Sequence, residues 1–234
     1  MIPFSDANPT RGPAIVNRVL LFANIVVWFY IVSLQRTPGA LEAFYERYAF
    51  DWSRFTSDLA SGAWSIATFV PLFTHLFLHG GWLHIIGNML YLWVFGDNVE
   101  DRLGSATYIL FYLLCGVVAA VGQGLVSPGP MLGASGAIAG VLAASLVLFP
   151  NARIRTLIFL GIFITVLQLP AIVVIGFFIV IQFIDAFGSL RLSGHAASDQ
   201  VAYFAHLFGF FAGIVLIFVL RDRSKRGAQH GRYG

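Results

Sequence analysis

The sequence is dominated by apolar runs that are long enough to cross a lipid bilayer. A hydrocarbon core about 30 Å thick requires about 20 residues of helix, and the run from Ala14 to Leu34 has that length. Of the 234 residues, 58% are hydrophobic and only 11% are charged, whereas a typical soluble domain has about 25% charged residues. So few charges exclude a soluble globule, a nucleic-acid-binding module and a disordered chain. We therefore predict a polytopic membrane protein.

The positions of these runs predict an all-α fold, a bundle of six transmembrane helices with a large first outer loop. Residues 156–187 are long for one span and short for two, and Pro170 in the middle lacks the amide hydrogen that a continuous helix needs. We assign residues 170–187 to the fifth span and residues 156–169 to an interfacial segment that precedes it. The predicted spans cover about residues 14–35, 82–97, 106–126, 133–149, 170–187 and 201–220, between an N-terminal tail at 1–13 and a basic C-terminal tail at 221–234.

The basic residues orient this bundle in the membrane. With six spans both termini lie on one side, and that side then holds ten of the 14 lysine and arginine residues. An excess of basic residues marks the cytoplasmic side, so we expect cytoplasmic termini in a cell membrane. The first outer loop, residues 36–81, combines charges with aromatic side chains that favour the membrane–water interface. A solvated linker is the alternative for this loop.

Polar side chains inside apolar spans are costly and indicate function, and Ser135 is the first such candidate. It lies in Gly133-Ala134-Ser135-Gly136, after a loop that contains glycine and proline, so we expect it at the start of the fourth helix. Backbone amides at a helix start lack intrahelical partners and carry partial positive charge, which suits a serine nucleophile that generates an oxyanion. A serine that only caps the helix would occupy the same position.

His206 is the corresponding candidate in the sixth span, where it shares a helix face with Gly209 and Gly213. The fourth span carries a second pair of glycines at the same spacing, and small residues at this spacing let membrane helices pack closely. Because both spans run inwards from the outer side, Ser135 and His206 are expected at similar depth, as a serine and its general base require. A histidine that only bonds a neighbouring helix is the alternative.

The second span contributes His84 and Asn88, which lie four residues apart on one helix face. Both side chains can donate hydrogen bonds, as two donors of an oxyanion hole would. Together with His75 and His79, His84 could instead ligate a metal, but the sequence lacks the glutamate of an H-E-x-x-H motif. We expect His75 and His79 to bond loop carbonyls.

These residues together resemble the rhomboid family of intramembrane serine proteases, and the resemblance runs from about Trp64 to Leu220. Four short motifs carry the resemblance. Each motif alone is weak evidence for the family, whereas all four in this order on a six-span chain are specific to it. The motifs are the histidine-rich segment from His75 to Asn88, the turn from Asp97 to Gly104, Gly133-Ala134-Ser135-Gly136 and Ala205-His206-Leu207-Phe208-Gly209.

The resemblance implies an endopeptidase with a catalytic dyad. Ser135 would be the nucleophile and His206 its base, while His84, Asn88 and the backbone amide of Ser135 would bind the oxyanion. The implied substrates are single-span membrane proteins, cut near the outer face of the lipid membrane. The resemblance implies no cofactor, no metal and no nucleic-acid partner.

The glycines around the serine bear on substrate choice. The backbone-crowded segment from Gly133 to Gly136 leaves little room for a large side chain beside the nucleophile. We therefore expect these two glycines at the substrate-binding surface and a small residue before the cut.

The sequence departs from the family's pattern in places. Some members carry a tyrosine one turn after the serine that stacks on the catalytic histidine, and here that position is Ala139. The Trp-Arg pair that some members carry in the first outer loop is absent. No third, acidic member is evident, because Asp185 is placed as a helix-end carboxylate, and Gln182 in the same span has no assigned role.

Two other functions remain as alternatives. The first is a catalytically inactive rhomboid-like protein that binds membrane spans, although such relatives usually lack the serine or the histidine, and both are present here. The second is a small transporter, for which inverted repeats or ionisable residues along several spans would be expected. Neither feature is found in the sequence.

Overall fold

A computed structural model of the chain describes residues 1–8, 10, 12–160, 163–191 and 202–221. Apart from Arg221, the predicted basic tail lies outside the described residues. The elements in chain order are β1 (Ile2–Asp6), α1 (Ile15–Leu34), α2 (Ala40–Tyr48), β2 (Phe50–Asp51), α3 (Trp52–Ser61), α4 (Ile66–Phe69), α5 (Pro71–Thr74), a 3₁₀ turn (His75–Phe77), α6 (Trp82–Leu103), α7 (Ser105–Val126), β3 (Pro130–Met131), α8 (Ser135–Leu148), β4 (Arg153–Leu160), β5 (Phe163–Pro170), α9 (Ala171–Arg191) and α10 (Tyr203–Leu220).

Most of the described residues are helical, and several of the helices are apolar along their length. Within the described part of the chain, α1, α7 and α10 are long and apolar enough to cross a membrane. The segment Ile66–Phe77 and α6 pass the same test as a pair that is bent by 82°. α8 and residues Ala171–Ala186 of α9 are shorter apolar helices. These helices confirm the predicted fold class, a polytopic helical membrane bundle. The number of six spans stays a prediction.

The short helix α8 lies at the centre of the bundle, where it contacts α6, α7, α9 and α10. Its residues from Gly136 to Ser145 are all buried. Many of them are glycine or alanine, whose small side chains let neighbouring helices approach closely. With 14 residues at 1.5 Å each, α8 is about 21 Å long, which is less than a hydrocarbon core of about 30 Å. α8 is therefore too short to cross that core by itself.

The buried carboxylate of Glu100, near the end of α6, fixes the start of α1. It accepts hydrogen bonds from the backbone amides of Val16 at 3.0 Å and Asn17 at 2.7 Å, and from the Ser105 hydroxyl at 2.5 Å. The first amides of a helix have no intrahelical partner, so a carboxylate at this position both pairs them and complements the helix dipole. The Asn17 side chain adds a bond to the Leu92 carbonyl at 3.1 Å, which joins α1 to α6.

The predicted first outer loop, residues 36–81, folds into the short helices α2 to α5 and reaches the segment that precedes α8. β2 pairs antiparallel with β3, so that Phe50 lies opposite Met131. Phe50 is also buried among apolar side chains of both segments. The loop therefore supports the chain just before Ser135, while its predicted position at the membrane–water interface stays a prediction.

The fold also contains a three-stranded antiparallel sheet with the order β1-β4-β5, which the sequence did not predict. Within the segment predicted as interfacial, residues 156–160 lie in β4 and residues 163–169 in β5, and the two strands pair antiparallel with Arg153 opposite Pro170. Its β-branched residues favour strands, but an uncharged apolar stretch does not distinguish a strand from a buried helix. Pro170 ends β5 and directly precedes α9, where its missing amide hydrogen breaks no helical hydrogen bond.

The role of Glu100 can be tested by substitution. Glu100→Ala should lower the free energy of unfolding by about 3 kcal/mol, because buried amides at the start of α1 lose a charged acceptor. Glu46→Ala is the matched control, since Glu46 is exposed on α2, and its effect should stay within about 0.5 kcal/mol. Unfolding in mixed micelles by titration with a denaturing detergent measures both. Equal stability of the two variants would contradict the assigned role.

Candidate active site

Ser135 is the first residue of α8, and its side chain is half-buried. The two residues before it, Gly133 and Ala134, are buried. The Gly133 amide donates a hydrogen bond of 2.9 Å to the carbonyl of His75, which ties this turn to the histidine-rich segment before α6. Ser135 thus lies at a helix start, where the first backbone amides have no intrahelical partner.

Gly133 lies close to the side chains of both His84 and Ser135. A Cβ atom at Gly133 would lie 2.8 Å from Nε2 of His84 and 3.6 Å from Oγ of Ser135. The Gly133 φ angle of 130° also lies in a region that side-chain-bearing residues rarely adopt. Glycine is required here, because any other side chain would be strained and would fill the space between the two groups.

The contact between α8 and α10 brings the surroundings of Ser135 and His206 together. A Cβ at Gly209 would overlap the carbonyl oxygen of Gly136, and a Cβ at Gly213 would overlap that of Gly140. The two helices therefore run parallel with their backbones in direct contact, as small residues at this spacing allow.

The same contact continues to the residues beside the two candidates. A Cβ at Gly136, which follows Ser135, would lie 3.5 Å from the carbonyl oxygen of Ala205, which precedes His206. Among the hydrogen bonds of the described residues, none joins the Ser135 hydroxyl to the His206 ring. The structure brings the two residues to one region without a direct bond between them.

The imidazole of His206 is buried and is contacted by α9. Its Nδ1 atom is hydrogen-bonded to Oε1 of Gln182. The ring of Phe178, one turn earlier on α9, lies 6.1 Å from the His206 ring centre. Gln182 was recognised in the sequence only as a polar residue in an apolar span, and that polarity is the one signal that marks it.

His84 and Asn88 lie on the same side of α6 as a second histidine, His79. The Asn88 amide donates to Nε2 of His79 at 2.9 Å, and the rings of His79 and His84 meet edge to face with centres 5.0 Å apart. The Tyr45 hydroxyl of the outer loop donates to the His79 carbonyl at 2.7 Å. Burial raises the pKa of Tyr45, so this phenol keeps its proton and remains a donor.

His75, the remaining histidine of this segment, has a different partner. It is buried, and its Nδ1 is hydrogen-bonded to the carbonyl of Pro71 at 2.8 Å. This is the loop carbonyl contact that the sequence predicts for it, whereas the ring of His79 bonds the Asn88 side chain instead. In the described part of the chain, no group of three or more His, Cys, Asp or Glu side chains is arranged to hold a metal ion.

The fold and this region define a class, a polytopic membrane protein with a serine at the start of a central helix and a histidine on the adjoining one. A family model for the Rhomboid domain matches residues 66–223. The chain therefore belongs to the rhomboid family, and the resemblance inferred from its sequence is confirmed.

Curated relatives agree with this membership. The chain is 40% identical to the Rhomboid protease GluP of Bacillus subtilis (strain 168) over 90 residues, which cover 38% of this chain and 17% of that protein. It is 35% identical over 164 residues to the mitochondrial Presenilin-associated rhomboid-like protein of Homo sapiens, and these residues cover 68% of this chain and 38% of that protein. It is 27% identical over 176 residues to the Putative rhomboid protease YdcA of the same Bacillus strain, and these residues cover 74% of this chain and 75% of that protein. The chain thus spans less than half the length of the first two relatives.

The contact between α8 and α10 predicts that alanine destabilises the protein at Gly209 but not at a glycine outside the contact. Gly209→Ala should lower the free energy of unfolding by about 1–3 kcal/mol, because its methyl group would push α10 away from α8. Gly176→Ala on α9 is the matched control, since nothing lies within 4 Å of its Cβ position. It should be neutral or stabilise by up to about 1 kcal/mol, because alanine favours a helix. Titration with a denaturing detergent measures the free energy of unfolding of both variants. An unchanged value for Gly209→Ala would refute the contact.

Proposed function

We propose that this rhomboid family member is an intramembrane serine endopeptidase with Ser135 as nucleophile and His206 as general base. The observation that carries the proposal is the backbone contact of α8 with α10, in which Gly136 beside Ser135 meets Ala205 beside His206. The position of His84 supports it further, because this side chain lies beside Gly133 as Ser135 does, and an oxyanion hole needs a hydrogen-bond donor near the nucleophile.

In the first half of the reaction, Oγ of Ser135 attacks the carbonyl carbon of the scissile peptide bond and its proton passes to Nε2 of His206. The negative charge that develops on the carbonyl oxygen is stabilised by His84, Asn88 and the backbone amide of Ser135. His206 then gives its proton to the leaving amine as the carbon–nitrogen bond breaks, which leaves an acyl group on Ser135. The hydrogen bond between Ser135 and His206 forms when substrate binds, since catalytic hydrogen bonds are often long in the free enzyme and tighten in the complex.

In the second half, water replaces the amine. His206 takes a proton from the attacking water, whose oxygen bonds to the acyl carbon, and then returns a proton to Oγ of Ser135 as the acid product leaves. Asn88 donates one of its two amide hydrogens to His79, and the second serves the oxyanion. These steps need neither a metal nor a cofactor.

The substrates are single-span membrane proteins that are cut near the outer end of the span. α8 is too short to cross the membrane core, which puts Ser135 below the outer surface when the other end of α8 reaches the cytoplasmic side. A substrate helix has to unwind at that depth to expose its peptide bond. Of the two glycines expected at the substrate-binding surface, Gly133 lies beside His84 and Ser135, where the unwound segment has to bind, whereas Gly136 is packed against Ala119 and Ala205 and does not reach that surface.

We place the protein in the cell membrane with both termini in the cytoplasm, on the strength of its ten basic residues on one side. One of the relatives is a mitochondrial protein, so an organelle membrane is the other location to consider. Reporter fusions at Gly234 test the orientation, and a reporter active only outside the cytoplasm would overturn it.

The nucleophile is tested with two serines of the same helix. Ser135→Ala should reduce cleavage of a labelled single-span substrate by at least about 10³-fold while the protein stays folded, because the attacking oxygen is lost. Ser145→Ala, nearer the other end of α8, should cleave at the wild-type rate. Turnover that survives in Ser135→Ala would refute the mechanism. A wild-type protein that binds the span without cutting it would favour the inactive, span-binding alternative.

The site of cleavage follows from the depth of the serine and the crowding around it. We expect mass spectrometry to place the cut near the outer end of the span, after a small residue such as alanine or glycine, with a helix breaker nearby. Replacing that breaker by leucine should slow cleavage, because the helix opens less often. A cut at the cytoplasmic end, or equal processing of an unbroken poly-leucine span, would contradict this prediction.

A further inference from the structure

We propose that α9 positions the general base through two side chains, with Gln182 fixing the proton of the His206 ring and Phe178 packing against that ring. The inference deepens the proposed function and rests on it for the role of His206. It also answers the question raised by Ala139, which stands where some family members place a ring against the catalytic histidine.

The hydrogen bond from His206 to Gln182 defines the tautomer. Both side chains are buried, so water does not compete for the bond. An amide oxygen only accepts hydrogen bonds, and its contact with Nδ1 of His206 therefore places the ring proton on Nδ1. Nε2 then carries the free lone pair that a general base needs to take the proton of Ser135.

The orientation of the ring is fixed by packing from the same helix. Phe178 and Gln182 are four residues apart and lie on one face of α9. The Phe178 ring lies 6.1 Å from the His206 ring, with 43° between the planes, and Tyr91 of α6 supports it from behind at 5.6 Å. The side chain of Ala139 on α8 is a buried methyl group that offers no ring. α9 thus supplies the contact that the fourth span supplies in those relatives.

A neutral acceptor suits this buried position. An unpaired carboxylate would be costly to bury here, whereas an amide fixes the tautomer without a charge. The orienting group therefore need not be acidic, which explains why the sequence offers no third acidic member. Gln182 is a positioning residue in this account, because it acts on His206 and does not contact the reacting atoms.

The test uses substitutions that keep the shape of residue 182. Gln182→Met removes the acceptor, and kcat for the single-span substrate should fall at least about 10-fold with KM unchanged, because a ring in the wrong tautomer cannot take the proton of Ser135. Gln182→Glu keeps an acceptor oxygen at the same reach and should restore part of kcat relative to Gln182→Met, although its charge is costly to bury. Gln168→Met, at an exposed position on β5, is the matched control and should leave kcat at the wild-type value.

A second readout does not depend on activity. In protein labelled with nitrogen-15 histidine, the His206 signal, assigned by its loss in His206→Asn, should show a protonated Nδ1 and an unprotonated Nε2. Gln182→Met should convert it to a mixture of tautomers. A wild-type ring protonated on Nε2, or a folded Gln182→Met with unchanged kcat, would overturn the inference. If the wild-type protein does not cleave at all, the proposed function fails, while the nitrogen-15 signal still decides whether Gln182 fixes the tautomer.

Discussion

The backbone contact between α8 and α10 is the interaction on which the rest of the structure depends. Lipid tails are as apolar as leucine side chains, so membrane helices are held together by close packing more than by the hydrophobic effect. Gly209 and Gly213 let α10 lie directly on the carbonyl groups of Gly136 and Gly140. No larger residue fits at these positions, and the distance between the helices that carry Ser135 and His206 is thereby fixed.

Other elements hold the two halves of the candidate site. The loop of residues 36–81 supports the segment before α8 through the pairing of Phe50 with Met131, and the carbonyl of His75 holds Gly133. On the side of α10, α9 contacts His206 directly. Elsewhere in the bundle, Glu100 anchors α1 to the end of α6, which stabilises the bundle as a whole.

The sequence predicted the parts of the fold that follow from local pattern. The start of α8 at Ser135 follows from the glycine-rich loop before it, and the approach of α10 follows from glycines spaced by four, since both signals depend on a few neighbouring residues. The family was recognisable for the same reason, because its motifs are short and occur in order along the chain.

The parts that the sequence did not predict depend on how distant segments pack. Gln182 stands out in α9 by its polarity, but the apolar residues around it do not show which helix that side chain meets, so its contact with His206 was not predicted. The hairpin at residues 153–170 was missed because a long uncharged stretch fits a strand and a buried helix equally well. The pairing of β1 with β4 joins residues more than 140 positions apart in the sequence, and a local sequence pattern cannot predict such a contact.

The proposed mechanism requires Ser135 to be the reactive nucleophile of this membrane bundle. The most direct measurement is the mass-spectrometric mapping of the residue that a fluorophosphonate modifies in the folded protein, in detergent or lipid. A fluorophosphonate reacts with a serine that has an effective general base. We expect a single adduct on Ser135 that disappears when His206 is replaced by asparagine. An adduct on a different residue, with Ser135 unmodified, would contradict it.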